Sequence, residues 1–591
     1  MPPSLNEAAA QHLRRCALLM AAGKLQDALH AASDACHAAP DHPHPHYAYG
    51  ETRTALGQPS LAAQAFAAAV SLAPGWADAW VNLGIARYRE GSIEDAKIAM
   101  RQALARDPGH SAAAANLAAF MRITGDPAAE DVLLAALARD PGNDAARLNL
   151  AADMLLDGRA EEALALLDAG PPPADEAAHR HWLLQRALAL LHVGRAADVP
   201  GVLDAFMALG PVPAALTPLL HWRRLLLAEA AGDDGAALAQ AAAMQQALEA
   251  MGAEGLPEHR IMGHYDLAKF WSARRQPAAA FSHWQKGHAL LRLMQPFSRT
   301  DHLAFIEAAI ARLDRARLHD GPRASRDDPA PVFIVGMPRS GTTLCEQIIA
   351  AHADAHGAGE RAALARMFTR LGEGDDAAAI HRIAALDSRT LDAAAAHYLD
   401  ELHALAPGKL RIVDKMPGNY LYLGLVGLLL PGARIIHCVR DPRDIGLSIF
   451  TFRFHGSHGY AHDPAELGWT IGQQHRLMAH WKAVLPNPVL TVALSDWVDD
   501  FDGTLARVLA HLDLPADPAC ERFHESTSRV RTVSRAQVRQ PVNARGLGRW
   551  KRYAAELQPL IAELQAAGML ADWDDQSKPV RRAVRTNLTA E

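Results

Sequence analysis

Glycine recurs at Gly23, Gly57, Gly91, Gly125 and Gly158, at intervals of 34, 34, 34 and 33 residues, and proline keeps the same step at Pro40, Pro74, Pro108 and Pro141. Two unrelated residue types sharing one period of this length point to a stacked repeat, in which each unit is a supersecondary element leaning on the next. The unit reads most clearly over WADAWVNLGIARYREGSIEDAKIAMRQALARDP, from Trp76 to Pro108. A first helix carries Trp80, Leu83, Gly84 and Tyr88, a turn falls at Gly91, and a second helix carries Ala96, Met100 and Ala103. Pro108 ends it, because the ring removes a donor and clashes one turn back. Alanine fills this half of the chain and aromatic residues are only 6% of the whole, which suits closely packed helices because alanine costs least in a helix.

The unit resembles the tetratricopeptide repeat, whose pattern WxxLGxxY, then A, then P, is matched by Trp80, Leu83, Gly84, Ala96 and Pro108. Arg87 stands in the tyrosine's place, with Tyr88 next to it. Later units are looser: Gly158 precedes a break at Pro171–Pro173, Gly194 and Gly232 suit further turns, and the text from His264 reads as one more helix pair. The expected array covers 1–310. Stacked repeats present a concave groove, so docking of a protein or peptide partner is its expected role. His42, His44 and His46 alternate just after Pro40 and read as a polar loop between repeats, in preference to a metal site.

Composition changes over 311–330, where HDGPRASRDDPAP is rich in turn residues and mixed charge and reads as a linker. Beyond it, apolar runs alternate with helical patterns: VFIVG, RIVDK, ARIIHCV and VLTVAL, with helices from Thr342, Asp444 and about Asp502. Such alternation predicts an α/β domain with a central parallel sheet, here over 331–575. Residues 576–591 read as a disordered tail. The expected fold class is multidomain, an N-terminal all-α solenoid followed by this α/β domain.

A net charge of −7 argues against nucleic acid as the main partner, since phosphate backbones call for a basic surface. Five scattered cysteines without a CxxC read as reduced thiols, and no apolar run reaches the ~20 residues of a spanning helix. The N-terminal segment reads as an amphipathic helix and not a signal peptide, which gives a cytoplasmic expectation.

The strand VFIVG runs directly into Gly336-Met337-Pro338-Arg339-Ser340-Gly341-Thr342-Thr343 and then a helix. Glycines let backbone N–H groups turn inward and the helix N-terminus adds partial positive charge, so this loop is placed to cradle a phosphate. The spacing is that of the loop GxxxxGK[ST], but Thr342 occupies the lysine position and Arg339 supplies the cation from within. That substitution disfavours a nucleotide triphosphatase.

GMPRSGTTL resembles the 5′-phosphosulfate loop of sulfotransferases that use PAPS (3′-phosphoadenosine 5′-phosphosulfate). The PRSGTT form is similar to tyrosylprotein sulfotransferases and to bacterial tetratricopeptide-repeat sulfotransferases. The resemblance implies a P-loop-like sulfotransferase domain in which Arg339, Ser340, Gly341, Thr342 and Thr343 hold the 5′-phosphate. It implies a strand-terminal arginine and a helix serine on the 3′-phosphate; ARIIHCV ends at Arg440, and Ser448 follows eight residues later. An arginine and a hydroxyl so placed can converge on one phosphate. It further implies Glu360 of GAGE as general base, Lys415 of DKMP as the cation on the bridging oxygen, and Ser534 and Arg549 as a C-terminal serine and base near the cofactor. Two positions depart from the pattern. Ala362 replaces an arginine of the tyrosylprotein enzymes, and Leu494 stands where many members carry a tyrosine.

The expected function is therefore PAPS-dependent transfer of a sulfuryl group to an acceptor hydroxyl of a protein, peptide, sugar or small molecule. Catalysis falls to Glu360, Lys415, Arg339 and Ser534, and no metal is required. The repeats would recruit the acceptor or a partner protein, with neither nucleic acid nor membrane involved. The alternatives are an inactive nucleotide-binding scaffold on tetratricopeptide repeats and a nucleotide-triphosphate enzyme with a variant loop.

Overall fold

The computed structural model describes residues 5–123, 126, 128–251, 257–454, 458–525 and 539–574. Contacts divide the chain into two compact units, one running to Leu267 and one starting at Ala268.

The first unit is a succession of antiparallel helix pairs. Its period appears in the helix starts. Helices Pro43–Ala55, Ala77–Arg89, Ser111–Ile123 and Asp144–Leu156 each begin three residues after Pro40, Pro74, Pro108 and Pro141. Gly23, Gly57, Gly91, Gly158, Gly194 and Gly232 all have φ between 69° and 93°, the left-handed conformation that ends one helix and starts the next. The looser units thus keep the turn chemistry of the regular ones. Gly84 explains why its position is small: a Cβ there would lie 2.7 Å from Met100 Cε and 3.1 Å from the Ala96 carbonyl. One repeat earlier, a Cβ on Gly50 would lie 2.7 Å from Phe66. The two helices of a pair therefore touch through a glycine-sized gap filled by the large residue facing it. His42 caps the helix that begins at Pro43, its Nδ1 accepting from the His44 N–H, and His46 Nε2 lies 2.7 Å from the Pro40 carbonyl.

In the second unit a five-stranded, all-parallel sheet has the order β2-β3-β1-β4-β5, with β1 Pro331–Gly336, β2 Ala355–Gly357, β3 Arg411–Lys415, β4 Arg434–Val439 and β5 Val489–Ala493. Every residue of β1 and β3 is buried, as strands covered on both faces require. On one face Ile334, Ile348, Val413, Ile436, Trp497 and Val508 share a core. On the other, Phe333 stacks on Tyr398. β2 is the strand the sequence pattern did not mark, since three residues carry no periodicity.

This unit begins ahead of the sheet. Helices Pro277–Met294 and Arg299–Arg312 fall within it, and the segment 311–330 carries a short helix, Arg315–His319. Leu318 of that helix is fully buried and Arg317 Nε donates to the Ala384 carbonyl at 2.6 Å. The division between units thus falls near 267, whereas the sequence pattern changes at 311–330. No helix of the described residues is long and apolar enough to cross a membrane.

Candidate active site

The sheet order places the functional segments. From β1 the chain runs to one side through β2 and β3, then crosses to β4 on the other, so the carboxyl ends of β3, β1 and β4 flank a topological switch point, where open parallel sheets bind ligands. Lys415 ends β3, paired with Ile334 of β1; Gly336 ends β1, paired with Cys438 of β4; and Arg440 follows β4 directly.

The loop after β1 is held in an unusual backbone. Gly336 (φ 150°), Arg339 (φ 71°) and Gly341 (φ 101°) all have positive φ. A Cβ on Gly336 would lie 2.4 Å from the Cys438 carbonyl, so the loop leaves the sheet through a gap only glycine fits. A helix starts at Thr342, aiming its first N–H groups into the loop.

Three guanidinium groups gather there. Arg339 Nε donates to Ser448 Oγ at 3.0 Å, and Arg440 donates to the Arg339 carbonyl at 3.0 Å and to the Gly546 carbonyl. Burial lowers the Arg339 pKa to about 10, helped by the charges of Arg440 and Arg549; burial also lowers that of Arg440, opposed first by Asp444 and then helped by Arg549. Asp444 and Asp441 thus offset these cations on the Arg440 side. Asp444 brings Arg549 in: its two carboxylate oxygens accept the Gly548 and Trp550 N–H groups at 2.6 and 3.0 Å. Two donors at this place, Ser340 Oγ and Arg440 Nε, are buried with no hydrogen-bond partner among the described residues. Beside them opens a cavity of about 350 Å³ lined in part by Met337, Arg440, Ser495 and Trp573.

A second cluster lies at the end of β3. Lys415, with no exposed surface, places Nζ 2.5 Å from Glu360 Oε1, and the Glu360 side chain is 38% exposed. The Lys415 N–H donates to the Gly359 carbonyl at 3.1 Å, fixing the loop that carries Glu360. Glu346, on the helix after the phosphate loop, is 2% exposed; its Oε2 lies 3.7 Å from Lys415 Nζ and its Oε1 accepts the Gly359 N–H at 2.9 Å. Burial pushes its carboxyl up to about 7 against the pull of Lys415. Asp414, buried beside Lys415, is raised to about 6 and accepts from Tyr398 Oη at 2.7 Å and from Asn419.

Of the residues singled out in the sequence, Glu360 and Lys415 are thus in contact, and Arg339, Arg440 and Ser448 are linked, with Arg549 among the charges on them. Ser340 to Thr343 form the turn into the helix. Ser534 lies outside the described residues, as does the tail. Glu346 and Asp444 were missed. Glu346 had one available signal, the single charged side chain in the helix TTLCEQIIA. Among the described residues no three His, Cys, Asp or Glu side chains are grouped to hold a metal ion.

Comparison with known proteins agrees with this reading of the second unit. The family model described as the sulfotransferase family matches residues 331–518. An uncharacterized protein of Aquifex aeolicus is 27% identical over 315 residues, 52% of this chain, and the chain spans only 41% of that protein's length. A putative protein-tyrosine sulfotransferase of Caenorhabditis briggsae is 24% identical over 229 residues, 37% of this chain and 80% of that protein. Among solved structures, the sulfotransferase domain of the Synechococcus PCC 7002 olefin synthase is 19% identical with a TM-score of 0.31, covering 41% of this chain and 96% of that one. A tetratricopeptide repeat protein of Parabacteroides merdae is 17% identical with a TM-score of 0.34, covering 42% and 94%. Residues 331–518 form a domain of the sulfotransferase family, carried behind an array of tetratricopeptide-type helix pairs.

Proposed function

We propose that the protein transfers a sulfuryl group from PAPS to an acceptor hydroxyl, and that its repeat array recruits the acceptor or a partner protein. The observation that carries the reading is the pairing of two clusters at the carboxyl ends of the central strands: a candidate anion site of three arginines with the buried donors Ser340 Oγ and Arg440 Nε, and a carboxylate in contact with a buried lysine. The residues fit the co-substrate. Gly336 and Gly341 keep the loop open to a phosphate, Arg440 and Ser448 stand ready for a second, and the adjoining cavity suits a nucleoside. PAPS supplies an activated S–O bond.

The residues of the chain then do the following. Glu360 accepts the acceptor's hydroxyl proton as the acceptor oxygen bonds to sulfur. The S–O bond to the 5′-phosphate breaks and its electron pair stays on the phosphate oxygen. Lys415 neutralises that oxygen, and Arg339 with the N–H groups of Ser340–Thr343 holds the phosphate. The ion pair couples these roles. When Glu360 becomes neutral it releases its hold on the ammonium of Lys415, which turns to the leaving oxygen at the moment charge develops there.

A thermal-shift titration with PAP, the desulfated product, beside ATP with Mg²⁺ tests the reading. Saturation at 100 times the dissociation constant stabilises by about 2.7 kcal/mol. PAP should raise the melting temperature and Arg440→Ala should abolish the effect. Stabilisation by ATP–Mg²⁺ alone would favour a nucleotide-triphosphate enzyme. Binding of PAP without any sulfate transfer would favour the inactive scaffold.

A further inference from the structure

Glu346 has no part in the transfer just described, yet it joins three segments of the site. It stands on the helix that follows the phosphate loop, it accepts the N–H of Gly359 next to Glu360, and it is the second carboxylate at Lys415. Space is reserved for it: a Cβ on Gly357 would lie 3.3 Å from both its Cγ and its Oε1. The charged and titratable groups acting on it are Lys415, Glu360 and Asp414, and its own charge acts on Cys345.

A buried ammonium needs a counter-charge at every stage of a reaction, because burial alone drives a lysine to give up its proton. Glu360 provides one only while it is ionised. We propose that Glu346 is the positioning residue whose charge keeps the Lys415 ammonium protonated once Glu360 has taken the acceptor's proton, while Lys415 passes from Glu360 to the leaving oxygen. The inference rests on the sulfotransferase reading only in naming Glu360 as the base. The carboxylate of Glu346, already 3.7 Å from Nζ, is the remaining partner when the 2.5 Å contact loses its charge. Its bond to Gly359 keeps the base loop from drifting meanwhile.

The test freezes that interval. Glu360→Gln in the full chain imitates the neutral base, and Glu346→Gln added to it removes the second charge while keeping an acceptor for Gly359. The chain has nine lysines, few enough to follow each Nζ by ¹⁵N NMR, with Lys415→Met assigning the signal. In E346Q/E360Q the Lys415 ammonium should lose its proton at least about one pH unit lower than in E360Q, a tenfold change. Coincident titrations would overturn the inference. PAP binding measured on the same wild-type sample reports separately on the sulfotransferase reading: absent binding removes that reading and leaves the charge coupling to be judged by the NMR alone. Should the double variant fail to fold, E346Q alone decides through hydrolysis of PAPS to PAP and sulfate, with water taking the acceptor's place. The rate should fall about tenfold or more with KM for PAPS unchanged, and an unchanged rate would overturn the inference.

Discussion

Replacing Lys415 by methionine should destabilise the sheet unit in a strongly pH-dependent way. The substitution keeps most of the volume and removes the charge. Lys415 has no exposed surface and the side chain of Glu346 only 3%, so the loss leaves a buried carboxylate without its ion. The carboxylate answers by taking up a proton, and with the wild-type carboxyl at about 7 this forgoes about one pH unit of ionisation at about pH 8, worth about 1.4 kcal/mol. For a unit of this size 1 kcal/mol moves the melting temperature by roughly 2 °C, so the expected drop near about pH 8 is about 3 °C. The sign follows from Glu346. Its folded carboxyl is already raised to about 7, and Lys415 is the group that lowers it. Without the lysine it takes up a proton at higher pH still. A carboxyl that binds protons more tightly folded than unfolded loses stability as pH rises through its folded value. The deficit of K415M relative to wild type should therefore be large near about pH 8 and mostly relieved near about pH 5.5, where the carboxyl is neutral. Differential scanning calorimetry of both proteins at the two pH values measures it. Equal deficits at both would refute the electrostatic reasoning and leave only a packing effect.

Gly336→Ala should lower the melting temperature of the sheet unit and abolish stabilisation by PAP, since the new Cβ meets the Cys438 carbonyl and φ is 150°; backbone strain of this kind costs about 1–3 kcal/mol. Asp444→Asn should weaken PAP binding through Arg549, whose backbone neighbours it holds, and calorimetric titration reads the loss. Gly84→Leu should cost the repeat unit about 1–3 kcal/mol by overpacking against Met100, visible as an earlier transition of that unit, while PAP still shifts the transition of the sheet unit. Deleting a repeat pair such as 77–106 should lower kcat/KM for the true acceptor and leave PAP affinity unchanged. Equal kcat/KM would remove the recruiting role.

The repeat and the strand–loop–helix turn after β1 were legible because each is written in local sequence. A glycine turn, a proline stop and a strand running into GMPRSGTT need no distant partner to be recognised. The ends of β3 and β4 were legible for the same reason, as Lys415 and Arg440 close apolar runs. What escaped depends on contacts far along the chain. Glu346 looks like one polar position on a helix until Gly359 and Lys415 close around it. Asp444 looks like a first-turn acid until the segment at 548–550 arrives. β2 is too short for a pattern, and helices Pro277–Met294 and Arg299–Arg312 have repeat-like periodicity that does not say which unit they pack on.

The three guanidinium groups of the anion site come from widely separated parts of the chain. Arg339 and Arg440 leave the ribosome well before Arg549, and Asp444 has nothing to grip until Gly548 and Trp550 follow. A growing chain thus holds an incomplete site throughout the synthesis of β1 to β5. On the proposed function, nucleotide capture would be deferred to a late step of folding, and a nascent chain stalled before residue 549 would hold a complete repeat array in its sequence but a sheet unit unable to load.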